Sequence, residues 1–404
     1  MDIVVRRREV NNLNNAWTLV YGRRKVGKTF MLRNFYNWDY YIHVGREGII
    51  WIEGYDINKF SNIEHFMEFI INALKRGKRI VVDEFQRLPK FVLERISTVH
   101  PKGTLILSGS SFRVVRDILD ARSPLLGFLR ELPIGLIHPQ DLLREISNRK
   151  DFLDYMVYLR DPWLIPMFEG KFILRDLYNV VIHVPHTIPS LIGEIFTEED
   201  RKITSTYGGI IECVGSMNGN ASQIASILYN RAIISKDSPS SVAPYIKNLV
   251  EMGIIKEVKI YRKKRSIYRM VSPIFSVFYY LWDKYDMEIH IPSFENMKEN
   301  IARIHSICYE DFIVELLANV MGGYIRYSLV PEIDGIIVDR KENPIAVIEV
   351  KHGNITKGEI SRFLDKCSEI LGKRIVIAKN KVEYENVISL TPEDIKKIVE
   401  KWSF

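Results

Sequence analysis

The chain has 404 residues, 47% hydrophobic and 26% charged, with a formal net charge of +7 and a pI near 9.0. That length exceeds one ordinary core and that apolar share excludes a disordered chain, so two to four folded domains are expected. No apolar run is long enough for a membrane helix, and the first residues lack the order of a signal peptide. Three scattered cysteines (Cys213, Cys308, Cys367) show no metal spacing and suit a reducing cytoplasm, so a cytoplasmic protein with no membrane partner is expected. The basic balance suits a polyanion such as DNA, although many basic proteins touch none.

Residues 18–21 form a short apolar run that predicts a buried strand. It leads into Gly22, Arg23, Arg24, Lys25, Val26, Gly27, Lys28 and Thr29, then the helical pattern Phe30, Met31, Leu32, Phe35. Strand, glycine loop ending in Lys-Thr, and helix is the order a P-loop requires. Gly22 and Gly27 let the backbone N–H groups of residues 22–30 turn toward phosphate oxygens. Lys28 adds a charge on the β- and γ-phosphates of ATP, and the Thr29 hydroxyl takes a position on Mg²⁺.

An apolar strand at 78–84 ends in Asp83 and Glu84. Asp83 is expected to hold the Mg²⁺ through water and Glu84 to polarise the attacking water, with Lys28 the third catalytic residue. A strand at 104–111 ends in small hydroxyl residues. Ser108 or Ser110 there suits a γ-phosphate sensor; a capped strand end is the plainer reading.

These residues resemble the archaeal P-loop ATPase family, close to the AAA+ and STAND classes. Its motifs are matched by residues 22–29, by Asp83-Glu-Phe-Gln86, by Gly109-Ser-Ser111 and by Ser123-Pro-Leu-Leu-Gly127. The likeness covers the first 145 residues well and continues loosely to the C-terminus. It implies an α/β P-loop NTPase core at 1–140 and a helical lid at 141–200. The family's arginine after the last glycine is replaced here by Phe128, which leaves Arg122 and Arg130 as arginine-finger candidates. Its lid Gly-Gly-x-Pro is reduced to Arg160-Asp161-Pro162.

From 201 to 290, helical patterns at 207–214, 220–229 and 240–252 precede a hairpin at 254–271. Its tip is Arg262, Lys263, Lys264 and Arg265. This is the order of a winged-helix domain. The DNA-binding reading puts Ser240, Ser241, Tyr245 and Lys247 near the groove and the basic tip on phosphates. A protein–protein module is the alternative.

Residues 286–300 read as a linker, and 291–404 as a further α/β domain. A helix at 301–321 precedes strands at 324–329, 332–338 and 345–351, then a helix at 358–371 and a strand at 374–378. Asp334 followed by Glu349 and Lys351 resembles the PD-(D/E)XK nucleases, whose restriction-endonuclease-like α/β fold brings a helix acid, a strand Asp and Glu-x-Lys to one point. Alternation along a strand puts Glu349 and Lys351 on one face. The resemblance implies that Asp334, Glu349 and Glu310, with Glu315 in reserve, bind Mg²⁺ while Lys351 orients the attacking water. His352 reads as a local polar residue rather than a ligand.

The expected protein hydrolyses ATP and acts on double-stranded DNA, with a Mg²⁺-dependent nuclease-like domain under ATP control. The alternatives are an ATP-controlled signalling or assembly switch, and a DNA-binding regulator with an inactive nuclease-like scaffold. Homo-oligomer formation stays open.

Overall fold

In the computed structural model, residues 1–46, 49–53, 62–98, 102–121, 123, 125–199 and 201–402 are described. The N-terminal part alternates β1 (Thr18–Tyr21), α1 (Lys28–Phe35), β2 (Tyr40–Val44), β3 (Ile50–Glu53), α2 (Ile63–Lys75), β4 (Arg79–Asp83), α3 (Lys90–Ser97), β5 (Thr104–Gly109), α4 (Phe112–Leu119) and β6 (Arg130–Pro133). The strands form one sheet in the order β3-β2-β4-β5-β1-β6, parallel except for the edge strand β3. Central strands β4 and β5 are buried along nearly their whole length because helices cover both faces. Leu19, Ile80, Val82, Leu105 and Leu107 face one hydrophobic cluster, and Val20, Val81 and Ile106 face the other. The glycine loop therefore leaves β1 between β5 and β6, at the carboxyl edge where open α/β sheets bind ligands. The acidic strand and the serine-ended strand stand where the sequence implies. Strands β2, β3 and β6 were not anticipated.

A helical layer follows: α5 (Pro139–Ile146), α6 (Phe152–Leu159), α7 (Ile173–His183) and α8 (Thr187–Glu198). Next come α9 (Ser205–Gly215), α10 (Ala221–Asn230), α11 (Pro239–Glu251), the hairpin β7 (Ile255–Ile260) and β8 (Ser266–Met270), and α12 (Pro273–Tyr285). The last part comprises α13 (Phe294–Val320), β9 (Tyr324–Leu329), β10 (Glu332–Val338), β11 (Pro344–Val350), α14 (Lys357–Lys366), β12 (Lys373–Ile377), β13 (Val387–Leu390) and α15 (Pro392–Lys401). No helix among the described residues is long and apolar enough to cross a membrane.

Two features differ from the sequence reading. Helix α13 begins at Phe294, inside the expected linker, because Phe294, Met297, Ile301 and Ile304 recur at helical spacing and are all buried. The β7–β8 hairpin is also not a free wing. It is the edge of a seven-stranded sheet ordered β13-β12-β11-β10-β9-β7-β8. Strand β7 runs parallel to β9, with Lys259 opposite Arg326 and Ile260 opposite Tyr327, and the Tyr261 N–H donates to the Tyr327 carbonyl at 2.8 Å.

One face of this sheet (Ile337, Ala346, Ile348, Ile375) joins α13 and the helices of residues 139–285 in a single hydrophobic cluster. The other face (Ile336, Val347, Val376) packs on Ile360 and Phe363 of α14. Helix α15 then returns to α5: the Gln140 amide donates to the Val399 carbonyl at 2.7 Å, and Lys396 donates to the Ser147 carbonyl at 2.8 Å. A core shared this widely should unfold as a unit. Phe278→Ala in α12, where Phe278 is 1% exposed and stacks on Trp282, is expected to cost about 3–5 kcal/mol. Urea unfolding followed by tryptophan fluorescence and far-UV circular dichroism should show everything after residue 137 moving in one transition. Separate transitions for the α5–α8 layer and the C-terminal sheet would refute the shared core.

Candidate nucleotide site and acidic cluster

The P-loop is built by close approach. A Cβ on Gly22 would lie 2.0 Å from the Ile134 carbonyl oxygen, so only glycine lets the segment just after β6 pass the loop. Buried Arg7 braces the loop from behind, donating to the Val26 carbonyl at 2.6 Å and to the Gly135 carbonyl at 3.0 Å. Lys28 Nζ turns back into the loop and donates to the Gly22 and Arg23 carbonyls at 2.7 and 3.1 Å. Thr29 Oγ1 and the Tyr41 hydroxyl both donate to Asp83 Oδ2, at 2.7 and 2.8 Å. Thr29 and Asp83 therefore meet, while Lys28 bonds within its own loop and Tyr41 on β2 carried no local signal.

Glu84 adopts φ +60°, and its carboxylate accepts from the Gln86 amide at 2.9 Å and pairs with Arg87 at 3.0 Å. Gln86 also reaches Ser110 Oγ at 3.4 Å. Ser108 stands in register with both Val20 and Asp83, fully buried, and its Oγ has no partner among the described residues. An orphaned hydroxyl between the P-loop strand and the acidic strand fits a phosphate oxygen.

The loop's arginine side chains turn away from the phosphate position. Arg23 pairs with Asp161 at 2.5 Å, and Asp161 Oδ2 also accepts from the Ser272 hydroxyl at 2.6 Å. Arg24 pairs with Glu194 of α8 at 2.8 Å. Pro162 packs against the loop, 3.3 Å from where a Cβ on Gly27 would lie. The shortened Arg160-Asp161-Pro162 motif is thus a clamp on the P-loop. Of the finger candidates, Arg122 lies outside the described residues. Arg130 is exposed and pairs with Thr18 at the start of β1, the end of the sheet away from the loop.

The C-terminal carboxylates converge. The Val350 N–H donates to Asp334 Oδ2 at 2.7 Å, which ties β10 to β11, and Lys351 Nζ lies 3.6 Å from Glu349. The β9–β10 register slips between Ile333 and Ile336, a bulge that re-aims Asp334. A Cβ on Gly335 would lie 2.4 Å from Val314 Cγ1, so glycine there lets α13, the helix that carries Glu310, lie close against β10. Burial and the neighbouring Asp334 push the Glu310 carboxyl up to about 8. Burial and Glu349 push Asp334 up to about 7, against the Val350 N–H and Lys351. Glu310, Asp334 and Glu349 are all hard oxygen donors, but the group whose ligand atoms all lie within 4.8 Å of one another among the described residues is a different one. Glu315, the reserve acid, is excluded. Arg160 and Lys256 hold it, and despite its burial they lower its carboxyl to about 2.

The expected DNA contacts divide. Arg262, Lys263, Lys264 and Arg265 are exposed at the hairpin tip, and Ser240 and Lys247 are exposed on α11. Ser241 is half-buried. Tyr245 is half-buried as well, its ring edge-on to Tyr207 at 4.9 Å, so it serves packing more than a groove.

Residues 14–123 match the family model described as an AAA domain, which supports a P-loop ATPase core. No curated protein matches the chain. Similar solved structures include the Aeropyrum pernix ORC1 protein in complex with DNA, at 14% identity and TM-score 0.29, covering 72% of this chain and 95% of that one. The Aeropyrum pernix ORC2 protein in ADPNP-ADP complexes is similar at 10% identity and TM-score 0.38, covering 70% and 92%. Cdc6p from Pyrobaculum aerophilum is similar at 9% identity and TM-score 0.24, covering 68% and 88%. Scores this low carry no argument beyond the likeness itself.

The clamp makes a stability prediction. Arg23→Ala strands a fully buried Asp161 carboxylate, at an expected cost of about 3–5 kcal/mol. Adding Asp161→Asn should recover part of that loss in chemical denaturation. A single-variant change within about 0.5 kcal/mol would show the pair to be dispensable.

Proposed function

We propose that this chain is an ATPase acting on double-stranded DNA, hydrolysing ATP at the P-loop and cutting phosphodiester bonds at Glu310, Asp334, Glu349 and Lys351. The observation that carries this reading is directional. Strands β7, β9 and β11 run the same way, and β10 runs against them. The exposed basic tip after β7 therefore lies at the same end of the sheet as Asp334 and the Glu349–Lys351 pair. Four strand spacings separate β8 from β11, roughly 19 Å. A duplex held by the tip would pass the acidic cluster.

At the P-loop, the Gly22 and Arg23 carbonyls hold Lys28 where phosphate oxygens would replace them as acceptors. Thr29 and Asp83 would hold Mg²⁺ between them. Glu84 is the base, and taking a proton from water requires it to leave Arg87 and Gln86. A γ-phosphate reaching Ser108 and Ser110 disturbs Gln86 and so frees Glu84. Changes at the loop have a route outward: Arg23 binds Asp161, the adjacent Arg160 binds Glu315, and Glu315 lies on the helix that carries Glu310. This route would serve the alternative, an assembly switch, equally well.

At the cluster, Glu310, Asp334 and Glu349 would hold Mg²⁺, which supplies Lewis-acid stabilisation of the phosphate when bound. Lys351 would orient the water against the scissile phosphorus.

Plasmid incubated with Mg²⁺ or Mn²⁺, with and without ATP, separates the readings. Cleavage is expected from the wild type and is expected to vanish in Glu349→Ala and Lys351→Ala. Equal cutting by Glu349→Ala, or none by the wild type, sinks the nuclease assignment and leaves the switch. Lys28→Ala should lower ATP turnover at least about 100-fold, and undiminished turnover there would remove the P-loop from the mechanism. Neutralising Arg262, Lys263, Lys264 and Arg265 together should flatten the salt dependence of DNA affinity by up to about 0.9 log units per charge, and an unchanged slope would move the contact elsewhere.

A further inference from the structure

A second cluster, with different chemistry, lies where α6, α13 and the end of β11 meet. Asp154 of α6, His305 of α13 and His352 just after β11 each present a ligand atom, and these atoms all lie within 4.8 Å of one another. Both imidazole Nε2 atoms point at Asp154 Oδ1, that of His305 at 2.8 Å and that of His352 closer. On the far side of the His305 ring, Nδ1 lies 3.0 Å from the Tyr158 hydroxyl. Asp154 and Tyr158, four residues apart, share one face of α6 and hold the ring from both ends. The His305 side chain is fully buried, Asp154 is 14% exposed and His352 is 30% exposed.

We infer that Asp154, His305 and His352 form a binding site for a divalent transition-metal ion, Zn²⁺ foremost, that joins the α5–α8 layer to the C-terminal sheet. Two imidazoles and one carboxylate are a borderline nitrogen–oxygen donor set, which selects Zn²⁺, Co²⁺ or Ni²⁺ over Mg²⁺. The neighbouring cluster of Glu310, Asp334 and Glu349 is all oxygen and selects the reverse. The Tyr158 hydroxyl plays the outer partner of a metal-bound histidine, accepting from the Nδ1–H and so leaving Nε2 for the metal. Three protein donors leave a further position for water on the open side of His352. His352, expected from the sequence to be a local polar residue, becomes a ligand contributed by the residue next to Lys351.

The test uses full-length protein stripped with a chelator. Calorimetric titration with Zn²⁺ and elemental analysis after dialysis should give one tightly held ion per chain. Co²⁺ in its place should show visible absorption bands of nitrogen–oxygen coordination. Half-exposed His352→Ala and Asp154→Asn should each lose the ion, while Glu349→Ala keeps it. Zn²⁺ should raise the melting temperature of the wild type and not that of His352→Ala. Asp154→Asn keeps the side-chain volume, so it remains informative if His352→Ala does not fold. Absence of stoichiometric Zn²⁺ from the wild type, or its retention by folded His352→Ala or Asp154→Asn, overturns the site and leaves a hydrogen-bonded trio. Loss in Glu349→Ala alone would assign the ion to the acidic cluster instead. DNA cleavage is not needed for any of these readouts.

Discussion

The fold turns on one buried ion pair, Arg23 with Asp161. Arg23 belongs to the glycine loop and Asp161 to the segment after α6, and the bond joins the P-loop core to the rest of the chain. Both groups are out of water, at 7% and 0% side-chain exposure. The Ser272 hydroxyl adds a second donor from the start of α12, and the Phe275 ring lies 5.7 Å from the guanidinium. Arg23 Nη1 and Asp161 Oδ1 have no hydrogen-bond partner among the described residues, so the pair is only partly compensated. Such a pair contributes little net stability compared with an apolar contact of the same size, but it allows one relative position. Pro162 against Gly27 enforces the same position by contact alone. The loop that would carry the phosphates is thereby bonded to three parts of the molecule at once, and it cannot change shape without their response.

Around that joint, the molecule separates its charges by purpose. Three arginines near the P-loop are used internally: Arg7 on loop carbonyls, Arg23 on Asp161 and Arg24 on Glu194. The hairpin tip leaves four basic groups in a row exposed. Because the hairpin is bonded to β9, its tip has a fixed relation to the carboxylates of β10 and β11. A wing that swung freely would have none.

Much of this was readable in the chain because the chemistry sits at strand ends. Residues 18–29, 79–84 and 104–110 combine an apolar run with a sharp polar ending, and alternation alone puts Glu349 and Lys351 on one face. The remainder needed contacts that leave no local trace. Strand β2 reads Tyr-Tyr-Ile-His-Val, too mixed to mark as buried, yet it supplies Tyr41 to Asp83. The β7–β9 pairing joins Lys259 to Arg326, 67 positions later, and rests on a short register. Asp161 looks like a turn residue before proline, and its partner lies 138 positions earlier. His352 meets Asp154 across 198 residues. Glu310 and Glu315 could not be ranked from sequence, since both lie on α13. Arg160 and Lys256 settled the matter by occupying one of them.

The two carboxylate systems differ in how they are solvated, and that difference separates their roles. Asp83 is 1% exposed, yet Thr29 and Tyr41 give it two hydroxyl donors, and burial with Asp83 beside it keeps the Tyr41 proton in place by raising that hydroxyl above its ordinary range. Asp334 has one backbone donor and faces Glu349, with Glu310 above it and Lys351 as the nearby cation. The acids of this half-buried site oppose one another's ionisation, with Lys351 and Lys366 partly offsetting that. The two systems therefore differ in what surrounds their oxygens: Asp83 faces two hydroxyl donors from its own sheet and loop, whereas Asp334 faces one backbone donor and further carboxylates.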